Sequence, residues 1–383
     1  MKGIYRADHV GSLLRPPELL QARVDFNDGR ISRDKLTEIE DACALKALDL
    51  QKQAGIPIFT EGEYRRSGWS MAVGASIDGL VELPQAVNPT TAILGQWMGP
   101  HGDEATNVRV NNPGVMGKTM VVGEKIHQVK RLAGEEAAFL KAHAPGPWKI
   151  TMPGAMSAAG QLYREGITDK VYTREEFISE IAEILKREVE ALIAEGCAYI
   201  QLDSLHYVER LTYDVIRDKM IQDGEDPDAY LDELIAVDNA VLDVAQKGGV
   251  TVGMHMCRGN NRSAWHAEGS YEGIAEKAFS QLNVDRFLLE YDTERAGGFE
   301  PLRFMPKNKM VVLGLISSKE PALESIDTLR RRIDEAAKFV PIENLAISPQ
   351  CGFASTAMGN LLTWDEMRRK LELVVETAQK VWG

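Results

Sequence analysis

Short apolar runs alternate along this chain with longer stretches whose apolar residues recur at helical spacing. That alternation predicts a parallel sheet covered by helices. Eight such runs lie near residues 5–10, 57–60, 148–152, 199–202, 250–255, 286–291, 310–315 and 345–348. Eight is the number a closed (β/α)8 TIM barrel needs. Helical stretches at 174–195, 227–246, 270–281, 326–339 and 364–381 separate most of them. Glu175 and Glu176 suit the positive end of the first of these. Asp226 followed by Pro227 reads as an N-cap with proline at the first helical position.

The connection between the second and third runs, about 65–147, is far longer than such loops usually are. Its turn-punctuated runs AILGQWMGP and NVRVNNPGVMGKTMVVGEKI predict a β-hairpin insertion, followed by a helix near 133–143. Neither a tandem repeat nor a linker divides the chain. The expectation is one α/β domain over 1–383, a single (β/α)8 barrel with one insertion.

Composition adds exclusions. A net charge of −13 argues against a nucleic-acid partner, which would call for a basic face. No run reaches the roughly 18 apolar residues of a membrane span. Four widely spaced cysteines are no disulfide framework, and the N-terminus shows no secretory pattern. A cytoplasmic protein is expected.

Chemistry in a parallel barrel gathers at the C-terminal ends of its strands. There the first run leads into Gly11 and Ser12, the second into Glu61 and Glu63, and the fourth into Asp203. The fifth ends in His255-Met256-Cys257, the sixth carries Glu290, and the eighth leads to Cys351. On a strand, His255 and Cys257 point to one face. Cys351 stands between Pro349 and Gly352 in a loop, where a merely structural cysteine is out of place. Glu290, inside RFLLEYD, needs a partner if buried: a cation, or an arginine such as Arg258, Arg262 or Arg295. Together the four look like a zinc site, because soft thiolates favour zinc over hard cations. Cys43 and Cys197 read as packing. His206 and His266 read first as loop hydrogen-bonders, and Trp69 and Trp265 as pocket lining or as caps.

The runs HVGSLLRP, FTEGEYRRS, YIQLD, GMHMCRGN, RFLLEYD and ISPQCGFAS resemble the catalytic barrel of cobalamin-independent methionine synthase, especially its short single-barrel relatives. The resemblance covers nearly the whole chain. It implies zinc held by His255, Cys257, Glu290 and Cys351. It also implies an amino-acid thiol held by Ser12, Glu63 and Asp203 with the backbone around Val10 and Gly11, the carboxylates gripping its ammonium group. The second, N-terminal barrel of full-length members lies outside the resemblance. Three local features depart from the family. The pterin-stacking tryptophan has no counterpart near 152–155, GLISSK puts Ile316 and Ser317 where a proton-donating histidine is expected, and Asp203 is followed by Ser204-Leu205.

The expected activity is methyl transfer to the thiol of homocysteine, giving methionine, with Asp203, Glu63 and His206 as catalytic candidates. Two thiolates and a carboxylate would leave bound zinc at a net charge of about −1, suited to keeping a thiol of free pKa about 8.5 ionised and reactive. The donor stays open between methyltetrahydrofolate, whose amine needs a proton to leave, and methylcobalamin, which needs none. His206, His266 or water could supply that proton, and a separate protein delivering the methyl group is a further expectation. Alternatives are an epoxide- or alkyl:thiol transferase of the coenzyme M type, a barrel decarboxylase and a non-catalytic zinc-binding protein.

Overall fold

Helix signals written in the sequence recur as capping geometry in the computed structural model, which describes residues 3–69, 72–83, 97–100 and 119–383. Asp226 caps the helix Pro227–Gly248, its side chain accepting from Asp228 N. Thr173 and Glu176 form a reciprocal capping box on Arg174–Glu195, and Thr363 and Glu366 do the same for Trp364–Trp382. Each cap satisfies backbone donors that the first helical turn leaves open, a gain of about 1 kcal/mol. Arg174–Glu195 then buries Phe177, Ile181, Leu185 and Leu192, one apolar stripe at helical spacing. No helix among the described residues is long and apolar enough to cross a membrane.

In chain order the strands are β1 (Leu80–Glu82), β2 (Met120–Val122), β3 (Lys149–Pro153), β4 (Tyr199–Ser204), β5 (Thr251–Met256), β6 (Arg286–Glu290), β7 (Met310–Ile316) and β8 (Leu345–Pro349). Strands β3 to β8 form one sheet in sequential order, every neighbour parallel. All six are buried along their whole length, as strands covered on both faces must be.

The two remaining staves of the barrel are not ladder strands. Phe59 pairs in parallel with Trp148 at one edge of the sheet, and Ala7 pairs with Ile347 at the other. Side chains and a loop contact close the gap between them. Thr60 Oγ1 donates to Gly11 O at 2.8 Å, Leu13 N to Gly62 O at 3.1 Å, and His9 Nε2 lies 3.0 Å from Ile58 O. The fold is therefore the expected TIM barrel, with its first two strands reduced to single bridges. Polar side chains from the ladder strands reach the first stave inside the barrel. Lys149 Nζ reaches Asp8 Oδ1 and Gln201 Oε1 at 2.9 Å each and also bonds the His9 carbonyl, while Arg286 Nη1 stands 3.4 Å from Asp8 Oδ2. This interior layer is ionic, not aliphatic, so each charge depends on its partner.

Within the insertion, β1 and β2 pair antiparallel from Leu80–Val122 to Glu82–Met120. Most of the two runs expected to form the hairpin lies outside the described residues. The helix expected near 133–143 spans Gly134–His143. The insertion touches mouth loops at two places. Gly68 bridges Thr356, with Trp69 N donating to Ser355 O at 3.1 Å. Met98 and Trp265 exchange backbone hydrogen bonds of 2.7 and 2.9 Å.

Candidate metal centre

Strand alternation sends His255 and Cys257 to one side of the β5 end. Strand β6 ends on Glu290, and the turn after β8 carries Cys351. All four residues are buried, and their ligand atoms lie within 4.8 Å of one another. Cys257 Sγ is 3.5 Å from Cys351 Sγ, and both thiols are free. His255 Nδ1 faces the Leu288 carbonyl at 3.1 Å, which leaves Nε2 as the ring nitrogen available to the cluster. Nε2 is buried with no hydrogen-bond partner. An orphaned ring nitrogen beside two sulfurs and a carboxylate is a donor set that could hold a metal ion.

The arginine alternative for Glu290 is also realised, and the two are compatible. Arg258 N donates to Oε1 at 2.6 Å and Arg295 Nη2 to Oε2 at 2.7 Å. An ionised carboxylate offers about four lone-pair sites, so both oxygens retain capacity toward a cation. The Trp265 ring sits under the Arg295 guanidinium, 5.2 Å from centroid to Cζ. Gly259 N donates to Cys257 Sγ at 3.3 Å, and Ser355 Oγ lies 3.7 Å from Cys351 Sγ.

Protons and a cation compete for this cluster. The hydrogen bond from Cys257 holds the Cys351 thiol well below its ordinary pKa and pushes Cys257 well above its own. Burial works against charge on His255, but the Cys351 sulfur beside it more than offsets that and holds the imidazole up to about 9. The cluster thus shares protons where a divalent cation would otherwise supply positive charge.

Glu63, Gly11, Val10 and Asp203 meet on the neighbouring staves. Glu63 adopts φ of 62°, a left-handed conformation costly for a side chain this long. Arg15 Nη2 pins its carbonyl at 2.9 Å, and Thr151 Oγ1 donates to its Oε1 at 2.7 Å. Glu63 Oε2 is buried without a partner. A Cβ on Gly11 would stand 2.8 Å from Glu63 Oε1, so only glycine lets the carboxylate approach the backbone there. Gln201 Nε2 joins Val10 O to Asp203 Oδ1, at 2.7 Å each. Asp203 pairs in register with His255, and burial pushes its carboxyl up to about 7. Ser12 Oγ accepts from Ala354 N at 3.3 Å and so ties the first stave to the loop of Cys351.

His206 is placed elsewhere. Its Nδ1 lies 2.8 Å from Tyr230 OH, and burial pushes its pKa down to about 4. None of its described partners belongs to the four-residue cluster. Sequence reasoning did not single out Thr151, Gln201 or Glu209. For Gln201 the signal was present, since Gln201-x-Asp203 shares the strand spacing of His255-x-Cys257.

A family model described as the cobalamin-independent synthase catalytic domain matches residues 106–380. The chain is 35% identical over 386 residues to the uncharacterized protein YxjH of Bacillus subtilis, covering 100% of this chain and 96% of that protein. It is 25% identical over 346 residues to the methionine synthase of Pyrococcus horikoshii, covering 90% and 84% respectively. A B12-independent methionine synthase from Shewanella sp. W3-18-1, solved in complex with selenomethionine, shares the fold with a TM-score of 0.70 at 20% identity, covering 99% of this chain and 98% of that one. The barrel, its strand-end residues and these likenesses agree, and the chain belongs to the cobalamin-independent methionine synthase family, whose members are methyltransferases.

Proposed function

We propose that this protein is a zinc-dependent S-methyltransferase that methylates the thiol of homocysteine to give methionine. One observation carries the reading: a buried His-Cys-Glu-Cys quartet lies at strand ends beside the buried carboxylates of Glu63 and Asp203, the latter in register with His255. His255, Cys257, Glu290 and Cys351 would hold the zinc. When bound, it supplies the charge that keeps a substrate thiol ionised near neutral pH. Glu63, with one carboxylate oxygen unpartnered, and Asp203, held by Gln201, would bind the substrate ammonium group. The Val10–Ser12 backbone lines the same place. Fixing the amino acid at its charged end aims the sulfur, the positioning contribution to rate. The selenomethionine of the Shewanella structure is a product-like ligand on a shared fold, which fits this reading.

The coenzyme M alternative would need a spare cation for a sulfonate. The two arginines that follow Glu63 are engaged: Arg66 Nε lies 3.1 Å from Glu136 Oε1, and Arg65 bonds Asp41. The test is elemental analysis of the purified protein, then methyl transfer to homocysteine from methyltetrahydrofolate and methylcobalamin in parallel. Zinc with methionine from either donor supports the proposal. Zinc with no methionine from either donor overturns the assigned acceptor.

A further inference from the structure

Lys319 is buried at the barrel mouth, and no carboxylate of the described residues pairs with its ammonium. Its Nζ donates instead to two neutral oxygens, Asn260 Oδ1 at 2.9 Å and the Gly259 carbonyl at 3.3 Å. Each of these acceptors leads to a sulfur of the quartet. Gly259 N donates to Cys257 Sγ at 3.3 Å. Asn260 Nδ2 donates to Gly352 O at 2.7 Å and to Ser355 Oγ at 3.1 Å, and Ser355 Oγ lies 3.7 Å from Cys351 Sγ. The ammonium is therefore the node between the surroundings of two sulfurs that stand 3.5 Å apart.

A second asparagine repeats the pattern. Asn360 Oδ1 accepts from Ser263 N at 2.9 Å, and its Nδ2 donates to Ser318 O at 2.7 Å. Asn260 and Ser263 lie in the loop after β5, Ser318 and Lys319 in the loop after β7, and Gly352 and Asn360 in the loop after β8. Each asparagine thus ties its own loop to the other two. Between them Arg262 and Ser263 keep φ of 48° and 67°, left-handed values that are costly outside glycine. Burying an ammonium on two neutral groups is costly as well. What Lys319 contributes is where it holds those groups.

We propose that Lys319 is a positioning residue of the metal centre, locking the turn of Cys257 to the turn of Cys351 through Gly259 and Asn260. Both sulfurs are then in place before a cation arrives. The inference rests on the zinc reading and adds to it the device that presets the site. A preset site spares the incoming cation the ordering of two loops, so metal affinity is the quantity this link governs.

The test uses the full chain, stripped of metal and titrated with zinc against a competing chelator. A parallel sample takes cobalt(II), whose visible absorption reports ligand geometry. Lys319→Met is expected to weaken zinc binding about 10- to 100-fold, the usual scale of a lost outer partner, and to shift the cobalt absorption. The denaturation midpoint of the metal-free protein should stay at or above the wild-type value, because a costly buried charge is gone. Asn260→Ala is expected to weaken zinc binding in the same range, and it decides the matter should Lys319→Met fail to fold. The double variant should bind no more than about threefold worse than the weaker single, as two members of one link must. Unchanged zinc affinity in either single variant, or losses that multiply in the double, overturns the inference and leaves the zinc reading standing. So does a metal-free midpoint that falls in step with affinity, the mark of a merely structural lysine. A wild type that binds neither metal overturns both.

Discussion

Arg295 Nη2 lies 2.7 Å from Glu290 Oε2, while the other oxygen of that carboxylate is taken by Arg258 N. Glu290 is thus oriented at both oxygens before any cation arrives, and Trp265 holds the arginine in place. Outer partners of this kind typically govern metal affinity by 10- to 100-fold. Arg295→Gln is therefore expected to lose zinc to a competing chelator about 10-fold more readily while the barrel stays folded. A chelator titration with circular dichroism alongside checks this, and unchanged retention would remove the orienting role.

Cys257→Ser should abolish metal retention and methyl transfer together. The hydroxyl is a poor substitute for a thiolate toward zinc. Elemental analysis paired with turnover is the measurement. A mutant with normal turnover and no zinc would refute the zinc proposal outright.

Glu63→Gln and Asp203→Asn should raise KM for homocysteine by about 10-fold or more, consistent with about 1.5–3 kcal/mol for a charged hydrogen bond. Zinc content should stay at the wild-type level, since neither residue belongs to the quartet. Steady-state kinetics would show the split. A fall in kcat alone, with KM untouched, would take ammonium binding away from these carboxylates.

Lys149→Met should destabilise the fold by about 3–5 kcal/mol, because it leaves the buried Asp8 carboxylate short of its nearest cation. Chemical denaturation measures the difference. A loss near zero would mean that Arg286, 3.4 Å from Asp8 Oδ2, neutralises the carboxylate unaided.

Asp238 gives a pH dependence with a definite sign. Burial raises its carboxyl from an ordinary 3.8 to about 7, with Tyr207 OH at 3.0 Å and Ala155 N at 3.3 Å as partners. Between those two values the folded state keeps a proton that the unfolded state has lost. Stability attributable to this group therefore falls as pH rises from about 4 to 7 and is flat above. Asp238→Asn removes the liability, worth at most about 4 kcal/mol at 1.4 kcal/mol per pKa unit. The mutant should gain in melting temperature over wild type at pH 8 and lose that advantage near pH 4. Equal gains at both pH values would tie the effect to packing.

The grouping of the quartet was legible in the sequence because each member contradicts its surroundings. Glu290 interrupts an apolar strand, Cys351 sits between Pro349 and Gly352, and His255-x-Cys257 keeps strand period. The barrel was legible for the same kind of reason, since buried parallel strands read as unbroken apolar runs. Less legible was how the first two staves close the ring, because Thr60, His9 and Lys149 do so through side chains whose partners lie far away in sequence. Glu209 with His266, and Trp265 with Arg295, were equally hidden. No local periodicity announces contacts between loops that meet only after the barrel has closed.

The two backbone contacts of the insertion with the mouth loops have a consequence for engineering. Residues 68–69 hold the loop of Cys351, and Met98 holds the loop that carries Trp265 and His266. Both contacts are made by backbone, so neither depends on which side chain stands at 68, 69 or 98. A transplanted segment that keeps them can be judged by one criterion, whether both mouth loops retain their register. A reporter group placed beside either contact would read events at the mouth without touching a single strand of the barrel.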